Sequence, residues 1–369
     1  MENLIVFIGY THELPIVLGM FGKENLEYLS EFNPQVFTNS KNQIYYHKGL
    51  NSKIYLYHGL KNFLDEPNEF FKKFQNCIIV SGGTSDIESR LLQDKIFDLN
   101  IRWPNVKTAF FWHYGEVFEL AFVKRIQEIE YDLILSGSKR PVLEKQSNFY
   151  FDLLFPFRYF RYYIGYYYLE ELVNNIPLPK YDKSKSKLFS YSRTHGEYSW
   201  RNKILDWVGK SGKLLYPKDS ANDAYDLEFP KYKHFEAIND YLYCNYNLIL
   251  ETLDYTNNPE RFITEKTYKG LFFGKPILLA ACYETLNELK DMGFYLLNFD
   301  FVENISTTYD VEQSIILFSE WLNTASDDEV EEKYNQSLEK SIQNRHKLMA
   351  YLNDYSEMEN VFKKLFNAI

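Results

Sequence analysis

Apolar residues in this chain gather in short runs that stop at glycines or polar turns. Leu4-Ile-Val-Phe-Ile8 is closed by Gly9, and Asn76-Cys-Ile-Ile-Val-Ser81 is closed by Gly82-Gly83. A strand buried on both faces needs an unbroken apolar run of about this length, so both segments predict parallel strands. Thr108–Trp112 follows the Pro104-Asn105 turn, and Tyr131-Asp-Leu-Ile-Leu-Ser136 stops at Gly137 in the same manner. Between these two, positions 117, 118, 120, 121, 122, 126 and 129 are apolar, compatible with a helix over Val117–Ile129 that crosses between parallel strands. The first half therefore predicts a Rossmann-like alternation of strand and helix.

Residues 149–173 are a Tyr- and Phe-rich amphipathic stretch, and 175–187 follow with two prolines and alternating Lys and Ser. Such a composition marks a linker. Beyond it, Lys187–Tyr191, Asn247–Leu250 and Lys275–Ala280 are strand candidates, while Ser199–Val208, which Ser199 could cap, and 264–273 have helical character. From Val311 onward the pattern is helical and charged, and ends in a Phe362/Leu365/Phe366 apolar edge that needs something to pack on. No internal repeat is visible. The expected organisation is an N-terminal domain over 1–174, a linker at 175–187, a second Rossmann-like domain over 188–345 and a terminal helix over 346–369.

Length supports two domains, since 369 residues exceed what one hydrophobic core usually organises. Hydrophobic residues at 45% and charged residues at 25% describe a globular chain. The 32 Tyr and 30 Phe fit an AT-rich coding bias as well as an aromatic surface. A net charge of −10 argues against polyanion binding as the main business of the surface. Cys77, Cys244 and Cys282 are far apart without CxxC spacing, which predicts neither a disulfide framework nor a zinc site and fits a reducing cytoplasm. Met1–Gly9 has no basic n-region, and no run reaches the roughly 18 apolar residues a membrane span requires.

The most informative segment runs Asn247-Leu-Ile-Leu-Glu-Thr252, then Arg261-Phe-Ile-Thr-Glu-Lys-Thr-Tyr-Lys269, then Gly274-Lys-Pro-Ile-Leu278. Strand, loop, helix and strand follow in order. Thr264 is a candidate N-cap, which puts Glu265 and Lys266 in the first helical turn, beside backbone N–H groups that favour an anion. Lys266 adds a full positive charge for a phosphate, and Glu265 can accept from ribose hydroxyls or face a developing positive sugar. The competing reading is an ordinary capped helix with Glu265 and Lys269 as an i,i+4 pair on a solvated face.

TEKTYKGLFFGKPILL resembles the donor-site motif of the α1,3-fucosyltransferase-like glycosyltransferases, a glycosyltransferase family 10-like group with the GT-B fold. The resemblance spans roughly 105–310 and is strongest over 261–294. It implies that Glu265 and Lys266 contact a nucleotide-sugar, UDP- or GDP-linked, and that Thr285–Phe294 is the segment that follows. Leu188-Phe-Ser-Tyr-Ser-Arg193 with Trp200-Arg-Asn-Lys203 is similar to the family's strand that opens the second domain and presents a basic residue to the diphosphate. Arg193 is the first candidate for that role and Arg201 the second, with His195 weaker. Phe110-Phe-Trp-His-Tyr-Gly-Glu116 resembles an apolar strand running into a Gly-Glu-Asn signature whose Glu is the general base. Val117 stands where the family has Asn, and His113 is a competing base with an unperturbed pKa near 6.5. Tyr131–Gly137 is similar to the family's Asp-Tyr strand.

The resemblance implies an inverting transfer with two Rossmann-like domains facing a cleft and the terminal helix packing back on the first. Glu116 or His113 takes the acceptor proton, Arg193 neutralises phosphate, and Glu251 supports the nucleoside or the helix. Thr264, Glu265 and Lys266 complete the donor site. Loops Gly9–His12 and Ser81–Asp86 could line the acceptor side. No Asp-x-Asp motif follows an apolar strand, so no metal and no cofactor beyond the nucleotide-sugar is expected. Gly82-Gly83 lacks both the GxGxxG and the GK[ST] spacing, which excludes dehydrogenase and P-loop readings. The expected acceptor is a glycan or lipopolysaccharide-type hydroxyl. Alternatives are a 5-hydroxymethyl base of phage DNA, and a non-catalytic nucleotide- or sugar-binding or structural protein.

Overall fold

The computed structural model describes residues 3–9, 13–32, 42–58, 63–64, 70–71, 76–81, 94–95, 106–112, 131–137, 148–163, 179–184, 188–189, 199–209, 214–215, 244–251 and 261–368. The chain divides into two compact units, Met1–Tyr166 with Asn353–Ile369, and Tyr167–Leu352. Both are built on largely parallel sheets, giving an α/β protein of Rossmann-like character.

In unit 1 the apolar runs become β1 (Asn3–Gly9), β5 (Asn76–Ser81), β6 (Val106–Trp112) and β7 (Leu133–Ser136). They are joined by β2 (Leu26–Phe32), β3 (Asn42–His47), β4 (Ser52–His58) and β8 (Phe149–Phe151) in one sheet of order β2-β3-β4-β1-β5-β6-β7-β8. From β4 to β8 every pairing is parallel, whereas β2, β3 and β4 form an antiparallel meander. Leu4, Val6 and Ile8 pack on one face with Tyr57, Phe63, Phe71, Cys77 and Ile79. On the other face Phe7 meets Phe21 of α1 (Glu13–Phe21), with ring centroids 5.9 Å apart.

The aromatic stretch from 149 begins as a strand. Phe149–Phe151 pairs with Ile134–Ser136 at the sheet edge, and only at Phe155 does α2 (Phe155–Tyr163) start, with Pro156 in its first turn. The predicted Val117–Ile129 helix lies outside the described residues.

Unit 2 carries β9 (Leu188–Phe189), α3 (Ser199–Gly209), β10 (Leu214–Leu215), β11 (Tyr246–Leu250), α4 (Glu265–Phe273) and β12 (Ile277–Ala280). Then follow α5 (Tyr283–Asp291), α6 (Asn298–Phe301), α7 (Thr308–Thr324) and α8 (Asp327–Asn353). Its sheet has order β10-β9-β11-β12, all parallel. Beside β12, Asn298 acts as a one-residue strand: Leu279 N–H donates to its Oδ1 at 2.9 Å, and its Nδ2 donates to Leu279 O at 3.1 Å and Ser314 Oγ at 2.8 Å.

α8 is continuous through residue 345 and ends at Asn353, where the chain passes from one unit to the other. The C-terminal helix, Ser356–Asn367, belongs to unit 1 and buries Met358, Phe362, Leu365 and Phe366. Arg158 of α2 donates to the Asp354 carbonyl and lies 5.3 Å from the Tyr355 ring, and Arg161 donates to Asn353 Oδ1 at 2.9 Å. No described helix is long and apolar enough to cross a membrane.

Candidate functional site at the carboxyl edge of the unit 2 sheet

Strand order decides where a parallel α/β sheet takes a ligand. From β9 the chain goes first to β10 on one side and then to β11 on the other, so connections diverge between β9 and β11. The crevice outside the carboxyl ends of two such strands is the usual ligand site in open sheets. β11 ends at Leu250, and Glu251 is the next residue.

Glu251 is 2% exposed and fully engaged. Its carboxyl accepts the Thr264 backbone N–H at 3.0 Å, the Thr264 hydroxyl at 2.7 Å and the Thr267 hydroxyl. Its own N–H donates to the Ala280 carbonyl at 3.1 Å, tying it to the end of β12. Its carbonyl accepts from Arg201 Nε at 3.1 Å and Nη2 at 2.6 Å, reaching in from the first turn of α3. The first turns of α3 and α4 therefore meet on one residue at the end of a central strand.

α4 is held at both ends. Thr264 is extended at φ −117°, ψ −175°, and its hydroxyl accepts the Lys266 N–H at 3.3 Å, which caps the helix. Lys266 is half-buried, and its Nζ comes back to 3.5 Å from the same hydroxyl. At the other end Arg345 of α8 donates from Nε to Phe272 O at 2.9 Å and from Nη2 to Phe273 O at 2.6 Å. Burial lowers the Arg345 pKa from its ordinary value. An acid at the amino end and a base at the carboxyl end both complement the helix dipole. Gly270 lets the helix lie directly on β11, since a Cβ there would fall 2.2 Å from Ile249 Cδ1.

α5 begins on the same edge. Cys282 precedes it with Sγ 3.0 Å from Thr285 Oγ1, and Thr285 Oγ1 accepts the Phe262 N–H at 3.2 Å. Arg261 pairs with Glu288 at 2.9 Å. Burial pushes the Cys282 thiol up to about 11, which keeps it protonated near neutral pH. The approach to α4 and the start of α5 are thus stitched together.

Of the residues singled out from sequence, Glu251, Thr264, Lys266 and Arg201 come together here. Arg201, the second phosphate candidate, is 1% exposed and turned inward onto the Glu251 carbonyl, which would otherwise be a buried acceptor at a strand end. The anion on the Thr264 N–H is the protein's own Glu251. Lys269 is 4% exposed, so the alternative of a solvated Glu265–Lys269 face does not hold. Glu265 is the first residue of α4, and its side chain lies outside the described residues.

Arg193 and His195 follow the carboxyl end of β9, and His113 and Glu116 follow that of β6; all four lie outside the described residues. In unit 1 the strand order diverges between β1 and β5, so Gly9 and Ser81 end neighbouring strands at that sheet's own crossover point. The rest of the loops 10–12 and 82–86 is outside the described residues.

Sequence reasoning missed Thr267, Arg345 and Thr285. Thr267 carried a signal, standing three residues after the N-cap where a polar side chain turns back toward the helix start. Arg345 carried none, lying over 70 residues from the carbonyls it holds. No protein-family model matches the chain, and no curated protein matches it.

Proposed function

We propose that the chain is a glycosyltransferase that takes a sugar from a nucleotide-sugar and passes it to a hydroxyl of a glycan or lipopolysaccharide-type acceptor, with inversion and without a metal. The observation that carries this reading is the braced first turn of α4, with Lys266 in it, beside the point where β9 and β11 diverge. A diphosphate suits such a place because the helix start and a lysine both favour negative charge. Arg193, which follows β9, is proposed to face the same phosphates. Thr264 and Glu265 complete the donor side, and Glu251 serves as the brace beneath it.

In this reading the two units are the halves of a GT-B enzyme, with the acceptor on unit 1. Glu116 or His113, leaving the carboxyl end of β6, takes the acceptor proton. A net charge of −10 favours a glycan over DNA as acceptor. A structural role is the second reading, and one observation favours it: the Glu251 carboxyl already takes the Thr264 N–H at 3.0 Å, where an incoming anion would otherwise bind.

A thermal-shift and calorimetric panel of UDP, GDP, CMP and dTDP with their sugar conjugates separates the two. Selective binding that weakens at least tenfold in Lys266→Ala, about 1.4 kcal/mol, supports the transferase. No binding to any of them supports the structural role, and binding that Lys266→Ala changes by less than about threefold overturns the donor site proposed around Lys266.

A further inference from the structure

Unit 1 contains a buried titratable group that the proposed chemistry does not use. His47 ends β3 with no exposed surface at all (0%). Its Nδ1 accepts the Leu50 backbone N–H at 3.1 Å across the Lys48–Asn51 turn. The neutral ring therefore carries its proton on Nε2. Nε2 has no hydrogen-bond partner among the described residues and faces Glu359 of the C-terminal helix, with Oε1 at 3.7 Å.

The surroundings make His47 part of the seat for that helix. Phe21 packs edge-on against the imidazole at 4.8 Å between centroids, and Phe362 packs on Phe21 at 5.1 Å. The turn itself cups the carboxylate: a Cβ on Gly49 would stand 2.6 Å from Glu359 Oε2.

We propose that His47 is an acid-sensitive latch on the C-terminal helix. A proton taken up at Nδ1 displaces the Leu50 N–H, opens the turn that cups Glu359 and loosens residues 356–367 from unit 1.

Once both ring nitrogens carry protons, Nδ1–H and the Leu50 N–H are two donors facing each other, and the turn loses its bond. The attraction to Glu359 on the other side offsets this only in part. Glu359 is beyond hydrogen-bond distance, and its carboxylate is shared with Lys363, whose Nζ lies 3.4 Å from Oε2. Around the ring, the C-terminal helix presents Glu359 and Lys363, and the turn presents Lys48, which is exposed. α1 presents Phe21, and the strand partners in register are Leu26 of β2 and Ser52 of β4, none of which titrates.

Burial holds the ring below the usual imidazole range, Glu359 opposes that, and Lys363 adds to it. A histidine that binds its proton more weakly when folded leaves stability complete above about pH 6.5. That stability is lost as the pH falls from there toward the folded-state value.

Hydrogen exchange on the full chain, corrected for intrinsic pH dependence, tests this between about pH 7.5 and 4.5. Wild type is expected to lose protection in 48–51 and 356–367 by roughly tenfold for each unit of depressed pKa. His47→Gln keeps an acceptor for Leu50 without a titrating proton, and its protection is expected to stay flat. Glu359→Gln removes the group that raises the pKa and is expected to leave the onset of the loss at about pH 6.5 while extending it to lower pH and making it larger. A wild-type profile that is flat, or that His47→Gln reproduces, overturns the latch. Should His47→Gln not fold, a loss that ends at the same pH and reaches the same size in wild type and Glu359→Gln overturns it as well.

Discussion

β1 and β11 are both central parallel strands, flanked on each side by another strand and removed from solvent, yet only β11 adds buried polar residues to its apolar ones. β1 is apolar throughout Leu4–Ile8. β11 and its flanks bury Asn245, Asn247 and Glu251 at 1%, 1% and 2% exposure. The three alternate along one face of the strand, the face that also turns Ile249 toward α4. The first strand fills space. The second fixes its neighbours: Asn245 bridges the Asp182 N–H and carbonyl at 3.1 and 3.0 Å, and Glu251 joins α3 to α4. A buried polar side chain needs its partners to be worth its place, so β11 is where geometry is specified and β1 where stability is accumulated.

Substitutions can break this contrast. The largest effect is expected for Glu251→Ala, which strands two threonine hydroxyls and a backbone N–H in the interior; unfolding in urea should show a loss of about 3–5 kcal/mol. Glu251→Gln keeps one acceptor and should lose visibly less. Leu4→Ala tests the apolar strand, where removing a packed side chain costs about 3 kcal/mol through transfer and cavity terms together. Its effect on nucleotide binding should be nil, while that of Glu251→Gln should not.

The smallest and sharpest case is Asn247→Leu. The Asn247 amide has no hydrogen-bond partner among the described residues for either Nδ2 or Oδ1. Replacement by an apolar residue of similar size should therefore raise stability by about 1–2 kcal/mol. A fall in the urea midpoint instead would mean that the amide is in use.

The sequence reveals the two halves of this molecule unevenly, for a physical reason. Strands buried on both faces are written as short apolar runs, and 4–8, 77–80, 109–111, 248–250 and 277–280 stand out for that reason. β2, β3 and β4 mix apolar, polar and tyrosine positions, and tyrosine stands at both buried and exposed places: Tyr57 is 0% exposed and Tyr28 52%. With 32 tyrosines in the chain, a period of two is blurred. At the site, the Thr264 cap is a local signal three residues long and is legible. The choice between nucleoside and helix for Glu251 is not, because it depends on a loop folding a side chain onto an N-cap 13 residues ahead. His47 and Glu359 are further apart still, and nothing in either neighbourhood points to the other.

Asn298 has a consequence for association. A parallel sheet with a bare outer strand is a template on which another chain can add a strand, and repetition of that step leads to fibres. By taking both the N–H and the carbonyl of Leu279, Asn298 supplies the middle of β12 with a false neighbour one residue long. Strand addition would first have to pull that amide out, against its further bond to Ser314. The unit 2 sheet is thereby obstructed against growth along its β12 border.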